Sequence, residues 1–577
     1  MKRVVKKSLM DSIKEEKKGW EKASPTVLWE TLLQGQEEAI RGALLYFSDR
    51  NTLEKRFSFL EKKIKAHFAT LPHKEKKTLL HFLLHLSLDL RSFPAERGLK
   101  NCMEAEEIQG FFQRAKDLLL YNLPLDSVLA KEVEEEIRKH TRARLQAEGI
   151  TDPKELETAV AALCGGGMLR YMEQLIHEYE KSNLRQVAQQ ALQGKVPTEL
   201  GNDYADFLDT MIRVGGSFVT TNPVLIKLAW DIDPSYWDPQ VDEVIRSSYT
   251  KRKLHALLAG KPEELSSAVE KINALITASV VERNCRLLRP IFLLSEGKQG
   301  YVSVQVNPKA HHDSNHMVKE AVFIYKELEK RLSGVPNIVI KVPSTAAGLK
   351  AAEQLTSKGI GVTITLTFSL FQALPFAEVL QKGNALVSYI AIMNGRLAFP
   401  VRDELKSLGV ERGVEAARWA GVEVARKAAH RLYSDSEKGG LGVDPEKVKI
   451  MIASLRIYDD WIPDISELWG IPLITIFPNV RRAYDRHTRG LVPDSLHGAT
   501  PEEDLRVLLQ SEIFRQAWWV PENGEVGKPK RPLALADTDA AAVAHWKPVQ
   551  ETLTQFIGMY QEMSEKVKNR MEGLAKG

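Results

Sequence analysis

Tyr301-Val302-Ser303-Val304-Gln305-Val306, Asn337-Ile338-Val339-Ile340-Lys341-Val342 and Gly361-Val362-Thr363-Ile364-Thr365-Leu366 are three short β-branched runs, separated by helical stretches at Met317–Leu332 and Ala346–Ser357. Strands buried on both faces read as nearly continuous apolar runs, and helices between them make the strands parallel. Working outward, the same texture continues at Glu199–Asp203, Phe218–Thr220, Ala385–Ile392, Val448–Ala453 and Leu473–Ile476, which brings the number of runs to eight. Eight strands in succession predict an α/β chain built on a (β/α)8 TIM barrel over residues 196–490. The alternative on spacing is a doubly wound open sheet.

Residues 1–195 read as an all-α N-terminal domain. Ser24-Pro25 and Asp152-Pro153 are helix starts, each a capping side chain followed by a proline whose missing N–H is not needed in the first turn. Leu28, Leu32, Ala39, Ile40, Ala43, Leu44 and Phe47 recur at three- and four-residue steps. Gly165–Gly167 interrupts the pattern before a last amphipathic stretch, Leu169–Leu192, and lacks the lysine and hydroxyl residue of a P-loop. Residues 491–577 read as a mostly helical extension packing on the barrel.

The composition narrows the function classes. Among 577 residues, 80 basic and 76 acidic side chains leave a net charge of +4, no electrostatic reason for a nucleic-acid partner. No run reaches the roughly 18 apolar residues of a membrane span. Met1–Trp20 mixes Lys with Glu and does not read as a signal peptide. Cys102, Cys164 and Cys285 lack CxxC spacing, which fits a reducing, cytoplasmic setting. Amphipathic N-terminal helices are compatible with capping the barrel, homo-oligomerisation or docking a partner.

In a barrel, chemistry collects at the C-terminal strand ends. Every run but the last offers a polar residue there: Asp203; Thr220-Thr221-Asn222; Ser303 and Gln305; Lys341; Thr363 and Thr365; Ser388; Ser454 and Arg456. Lys341 is the most unusual, because it lies inside its strand. A buried ammonium is disfavoured by desolvation, and the neutral amine is a nucleophile suited to Schiff-base formation. The competing reading is a strand-end lysine snorkelling to solvent. Thr363, Thr365 and Thr367 share one face by the two-residue period, which fits a wet pocket or a row of hydroxyls bonded to backbone.

Four segments, Thr220-Thr221-Asn222-Pro223, Ile340-Lys341-Val342-Pro343-Ser344-Thr345 with Gly348, Thr365-Leu366-Thr367-Phe368-Ser369 and Ala453-Ser454-Leu455-Arg456, stand in an order and spacing that resembles the transaldolase family. These are class I aldolases that use a barrel lysine, and the resemblance covers roughly residues 198–479. It implies that Lys341 is the Schiff-base lysine and that no cofactor or metal is needed. Asp203 would be the carboxylate that takes the sugar hydroxyl proton, with Asp206 and Asp209 as rivals. Thr220 and Asn222 would hold the dihydroxyacetone moiety, Thr365 a catalytic water, and Ser388 the ketose hydroxyls. Arg396, Ser454 and Arg456 would bind the phosphate of ketose and aldose phosphates, the implied substrates. The segment between Ser388 and Arg396 is about two residues longer than the family's.

Two departures stand out. Gln305 occupies a place where transaldolases carry a proton-transferring glutamate and the fructose-6-phosphate aldolases of the same superfamily carry glutamine. Those aldolases pair it with a tyrosine; Tyr389 is nearby, with its facing open. Thr363 stands where many members have asparagine. Three functions follow: transfer of a dihydroxyacetone unit, direct aldol cleavage, or a weakly active sugar-phosphate sensor whose helical half is an interaction module. His311, His312 and His316 invite a metal reading, set against their place in a strand-to-helix connection, and Trp461, Trp518 and Trp519 could line a lid or fill core.

Overall fold

The computed structural model describes residues 8–459, 461–486, 492, 494–535 and 540–576. The expected barrel boundary at residues 490–491 lies outside the described residues. Eight strands close into a barrel in sequence order, every neighbouring pair parallel. They are β1 (Glu199–Asn202), β2 (Gly216–Thr220), β3 (Tyr301–Gln305), β4 (Ile338–Pro343), β5 (Val362–Thr367), β6 (Ser388–Ile392), β7 (Val448–Ile452) and β8 (Leu473–Ile476). This is the (β/α)8 barrel and not the open sheet. All eight expected runs are strands.

Alternation along each strand sorts the side chains. Val302, Val304, Ile338, Ile340, Val362 and Ile364 face the surrounding helices, while Phe218, Tyr301, Val339, Tyr389, Met451 and Leu473 fill the barrel's inner core. The N-terminal end of the barrel is closed by a buried ion pair between Lys449 and Glu199, with the Ser217 hydroxyl donating to Glu199 at 3.0 Å. The C-terminal end is left for Lys341.

Eleven α-helices lie between Leu9 and Leu192. Ser24 and Asp152 cap their helices as expected, accepting from Val27 N (3.3 Å) and Glu155 N (2.8 Å). The expected stretch Leu169–Leu192 is two helices, Gly167–Glu180 and Asn183–Leu192, because Ser182 stops one and caps the next through Arg185 N. One apolar cluster runs without a break from Leu28 and Leu79 into Val302 and Ile340, so these helices and the barrel share a core.

Between β2 and β3 stand four helices that the sequence reading did not resolve, ending in the 33-residue helix Pro262–Leu294. Against them lies the C-terminal helix, Lys547–Lys576, which buries Tyr560, Met563, Val567 and Met571. Among the described residues no helix is long and apolar enough to cross a membrane.

Candidate active site

Lys341 is the fourth residue of β4, paired in register with Gln305 on β3 and Thr363 on β5. It is 5% exposed. Burial lowers its pKa from 10.5 to about 8; the nearby Asp203 carboxylate pulls the other way, and the Arg396 guanidinium adds to the lowering. The contrast with Lys449 is instructive. Lys449 is just as buried but ion-paired, whereas among the described residues Lys341 has no carboxylate within ion-pair reach.

Asp203 follows β1 directly, in a turn that the Asn202 amide holds by donating to the carbonyls of Tyr204 and Asp206, both at 2.8 Å. Its carboxylate accepts a short hydrogen bond from Thr220 Oγ1 and a longer one, 3.4 Å, from Ser454 N. The rival carboxylates have other work. Asp209 pairs with Arg213 at 2.9 Å and Asp206 with Arg283 at 3.5 Å. Asp203 therefore is the one of the three that faces Lys341.

A cavity of about 170 Å3 opens above these groups, bounded among others by Asp203, Asn222, Lys341, Thr365, Arg396 and Ser454. Asn222 caps the helix Pro223–Ile232, its Oδ1 accepting from Leu225 N at 2.9 Å, so its amide nitrogen is left for the cavity. Thr365 Oγ1 lies 3.9 Å from Met393 Sδ. On the flanking strands β3 and β5, Ser303 Oγ, Gln305 Oε1 and Thr363 Oγ1 are buried atoms without a protein partner, a set of groups able to hold water near Lys341.

Two residues at the mouth have left-handed backbone, Leu366 (φ 61°) and Ser454 (φ 60°). Such strain persists where the surroundings impose it. At Leu366 it breaks the two-residue alternation of β5. Thr367 consequently leaves the expected row of threonines, and its hydroxyl donates to Ile364 O at 3.3 Å.

The two expected phosphate arginines are placed differently. Arg396 bounds the cavity, and its Nε is buried without a partner. Burial, then repulsion from Arg456, lowers its pKa to about 10. Arg456 instead turns back on its own loop, donating from one Nη to Ser454 O (3.0 Å) and Leu455 O (2.9 Å). That packing needs Gly395, where a Cβ would lie 2.5 Å from both Ser454 O and Arg456 Cγ.

Ser388 corrects the sequence reading. It begins β6 rather than ending it, so it sits at the opposite end of the barrel and accepts from Val362 N at 3.3 Å. The mouth of β6 is formed by Ala391 and Met393. Tyr389 does face inward, its ring tilted 55° against Phe218 at 4.7 Å between centroids, but below the cavity with its hydroxyl unpartnered. Asp313 caps its helix through Asn315 N and His316 N. Trp461 packs on Trp419 and Trp518 on Phe514, away from the cavity.

Sequence reasoning missed the apolar wall, notably Leu225, Leu228, Met393, Phe477 and Phe556. Leu225 and Leu228 follow Asn222-Pro223 at a helical three-residue step, a signal that was available. Phe556 comes from the C-terminal helix, far away in sequence.

Fold and site together define a (β/α)8 barrel with an unpaired, desolvated lysine beside a carboxylate at the C-terminal end of the strands. Residues 205–515 match the sequence model of the family described as Transaldolase/Fructose-6-phosphate aldolase, and the chain belongs to that family. The match begins two residues after Asp203 and stops before the C-terminal helix. The chain is 28% identical over 236 residues to a transaldolase of Thiobacillus denitrificans, covering 39% of this chain and 59% of that protein. It is 27% identical over 262 residues to one from Mycobacterium bovis (42% and 62%). To a probable transaldolase of Dictyostelium discoideum it is 29% identical over 326 residues (56% and 86%). It thus spans about three fifths of the length of the first two relatives.

Proposed function

We propose that the barrel transfers a dihydroxyacetone unit between a ketose phosphate and an aldose phosphate through a Schiff base on Lys341. The neutral amine attacks the ketose carbonyl, and loss of water gives a protonated imine. Asp203 takes the proton of the hydroxyl two carbons away from the imine carbon, the intervening carbon–carbon bond breaks, and its electron pair moves into the imine to give an enamine. The aldehyde product leaves; an acceptor aldehyde then takes the enamine's carbon and the proton held by Asp203. Thr220 and Ser454 N fix that carboxylate, and Asn222 and Arg396 offer donors to the sugar and its phosphate. A cytoplasmic setting belongs to this reading, consistent with three free cysteines.

The observation that carries it is the unpaired, buried Lys341 with its lowered pKa. Borohydride with fructose 6-phosphate is expected to fix one sugar on Lys341, read by peptide mass. The trapping rate should climb about tenfold from pH 7 to pH 9 and level off above that, since the neutral fraction follows a pKa of about 8. No adduct, or a rate still climbing steeply at pH 10, would sink the assignment.

Gln305 supports a second reading, direct aldol cleavage without an acceptor. An amide can orient water but does not exchange protons near neutral pH. Tyr389 is packed below the cavity and Met393 stands at its mouth, so neither supplies the missing acid. Gln305→Glu is expected to speed acceptor-dependent turnover about a hundredfold, the low end of general acid–base contributions. Triose phosphate released by the wild type at equal rates with and without erythrose 4-phosphate would instead select the aldolase.

A further inference from the structure

The C-terminal helix lies outside the stretch that matches the family, yet it walls the cavity. Phe556 is 2% exposed, and its ring centroid lies 5.9 Å from the Arg396 guanidinium carbon, at the outer range of a cation–π contact. The helix is pinned in place. Asn273 donates to Ser564 Oγ at 2.9 Å, Lys566 pairs with Asp231 at 2.7 Å while lying 4.1 Å over the Trp230 ring, and Arg570 pairs with Asp238 and Asp242. These contacts tie the helix to the helices between β2 and β3, so Phe556 has a fixed position over Arg396.

The neighbouring arginine shows what that position does. Arg456 also stacks on a ring, Phe399 at 5.0 Å, but its Nη donors are used on backbone carbonyls. Arg396 keeps a buried, unpartnered Nε at the cavity. A ring on the face of a guanidinium leaves the in-plane N–H edge free, and that edge is what matches a phosphate in bidentate fashion.

We propose that Phe556 is a positioning and specificity-determining residue: it holds Arg396 edge-on to the cavity and thereby selects phosphorylated over unphosphorylated sugars. This deepens the transaldolase-type reading and rests on it for the identity of the substrate. The ring touches Arg396 and not the reacting carbon atoms, so its effect belongs in KM.

The test compares Phe556→Leu, which keeps apolar bulk without a π face, with Phe556→Tyr, which keeps the face. For the leucine variant KM for fructose 6-phosphate is expected to rise about five- to tenfold with kcat within twofold. KM for unphosphorylated fructose should not move, and tyrosine should restore the wild-type ratio. Equal losses with both sugars, no loss with leucine, or failure of tyrosine to rescue would overturn the proposal. Calorimetric titration with inorganic phosphate gives a reading independent of turnover. The leucine variant should bind it about fivefold more weakly than the wild type, and unchanged phosphate binding overturns the assignment even if Lys341 is trapped. If Lys341 is never trapped but phosphate binding falls as stated, the Schiff-base reading fails and the role of Phe556 stands.

Discussion

Lys341→Met is expected to abolish sugar trapping and lower turnover at least a thousandfold while making the protein more stable, an opposition that a merely structural lysine would not produce. The first half follows from chemistry: methionine has no amine to form the imine, and nothing else among the cavity residues is a carbonyl nucleophile of that kind. The second half follows from burial. A pKa lowered from 10.5 to about 8 means that the folded state holds the Lys341 proton less tightly than the unfolded chain. At about 1.4 kcal/mol per pKa unit, the penalty is about 3 kcal/mol wherever both states are protonated, that is below pH 8. Between pH 8 and 10.5 the unfolded chain binds the proton and the folded chain gives it up, so wild-type stability should rise with pH across that window. The methionine variant should lack this rise and should gain up to about 3 kcal/mol at pH 7, since its unbranched side chain fills a similar volume without a charge. Urea titrations at pH 7 and pH 10, set beside trapping by mass, check both halves. A destabilised variant would mean that Lys341 serves packing more than chemistry.

The same burial explains which parts of the fold were legible in the sequence. Parallel strands with both faces covered leave runs such as Ile338–Val342 that no amphipathic helix would show, and all eight became strands of the barrel. A run alone does not tell which residue lies at which end. Ala385–Ile392 is apolar enough to place Ser388 anywhere, and only its pairing of Ser388 with Val448 fixes it as the first residue of β6. At Thr365–Thr367 the alternation was sound until the left-handed Leu366 broke it, and no residue type there announces a bulge. The placement of Lys341, Asp203 and Asn222 at one cavity was readable because Lys341 lies within a strand and the other two follow strand ends, each defined by its own sequence. Phe556 was not, because what brings it to Arg396 is the packing of Met563, Val567 and Met571 on helices some 300 residues earlier. The contacts that join the N-terminal helices to the barrel are equally remote, and they carry charge.

Of those contacts Asp89 is the one whose loss is expected to cost most. It lies 4% exposed between two buried arginines, bonded to Arg41 in the N-terminal helices and, at 2.9 Å, to Arg213 Nε in the helix Leu208–Arg213 that leads into β2. Both guanidinium pKa values are raised above the ordinary arginine value; burial opposes the charge, and the Asp89 carboxylate is the largest influence restoring it. Asp89→Asn removes the shared anion and leaves two desolvated cations, with only Asp209, among the described residues, still paired to Arg213 at 2.9 Å. Breaking a buried pair in this way costs about 3–5 kcal/mol. Replacing the whole set by apolar residues of similar size (Arg41→Met, Asp89→Leu and Arg213→Met together) should restore most of the loss, because the desolvation cost disappears with the charges. Since one apolar cluster runs from these helices into the barrel, urea unfolding of Asp89→Asn should stay a single transition at a lower midpoint, followed alike by far-ultraviolet dichroism and by tryptophan fluorescence. Two separate transitions, the first confined to residues before Val196, would show that the helices hold to the barrel through these charges and not through a common core.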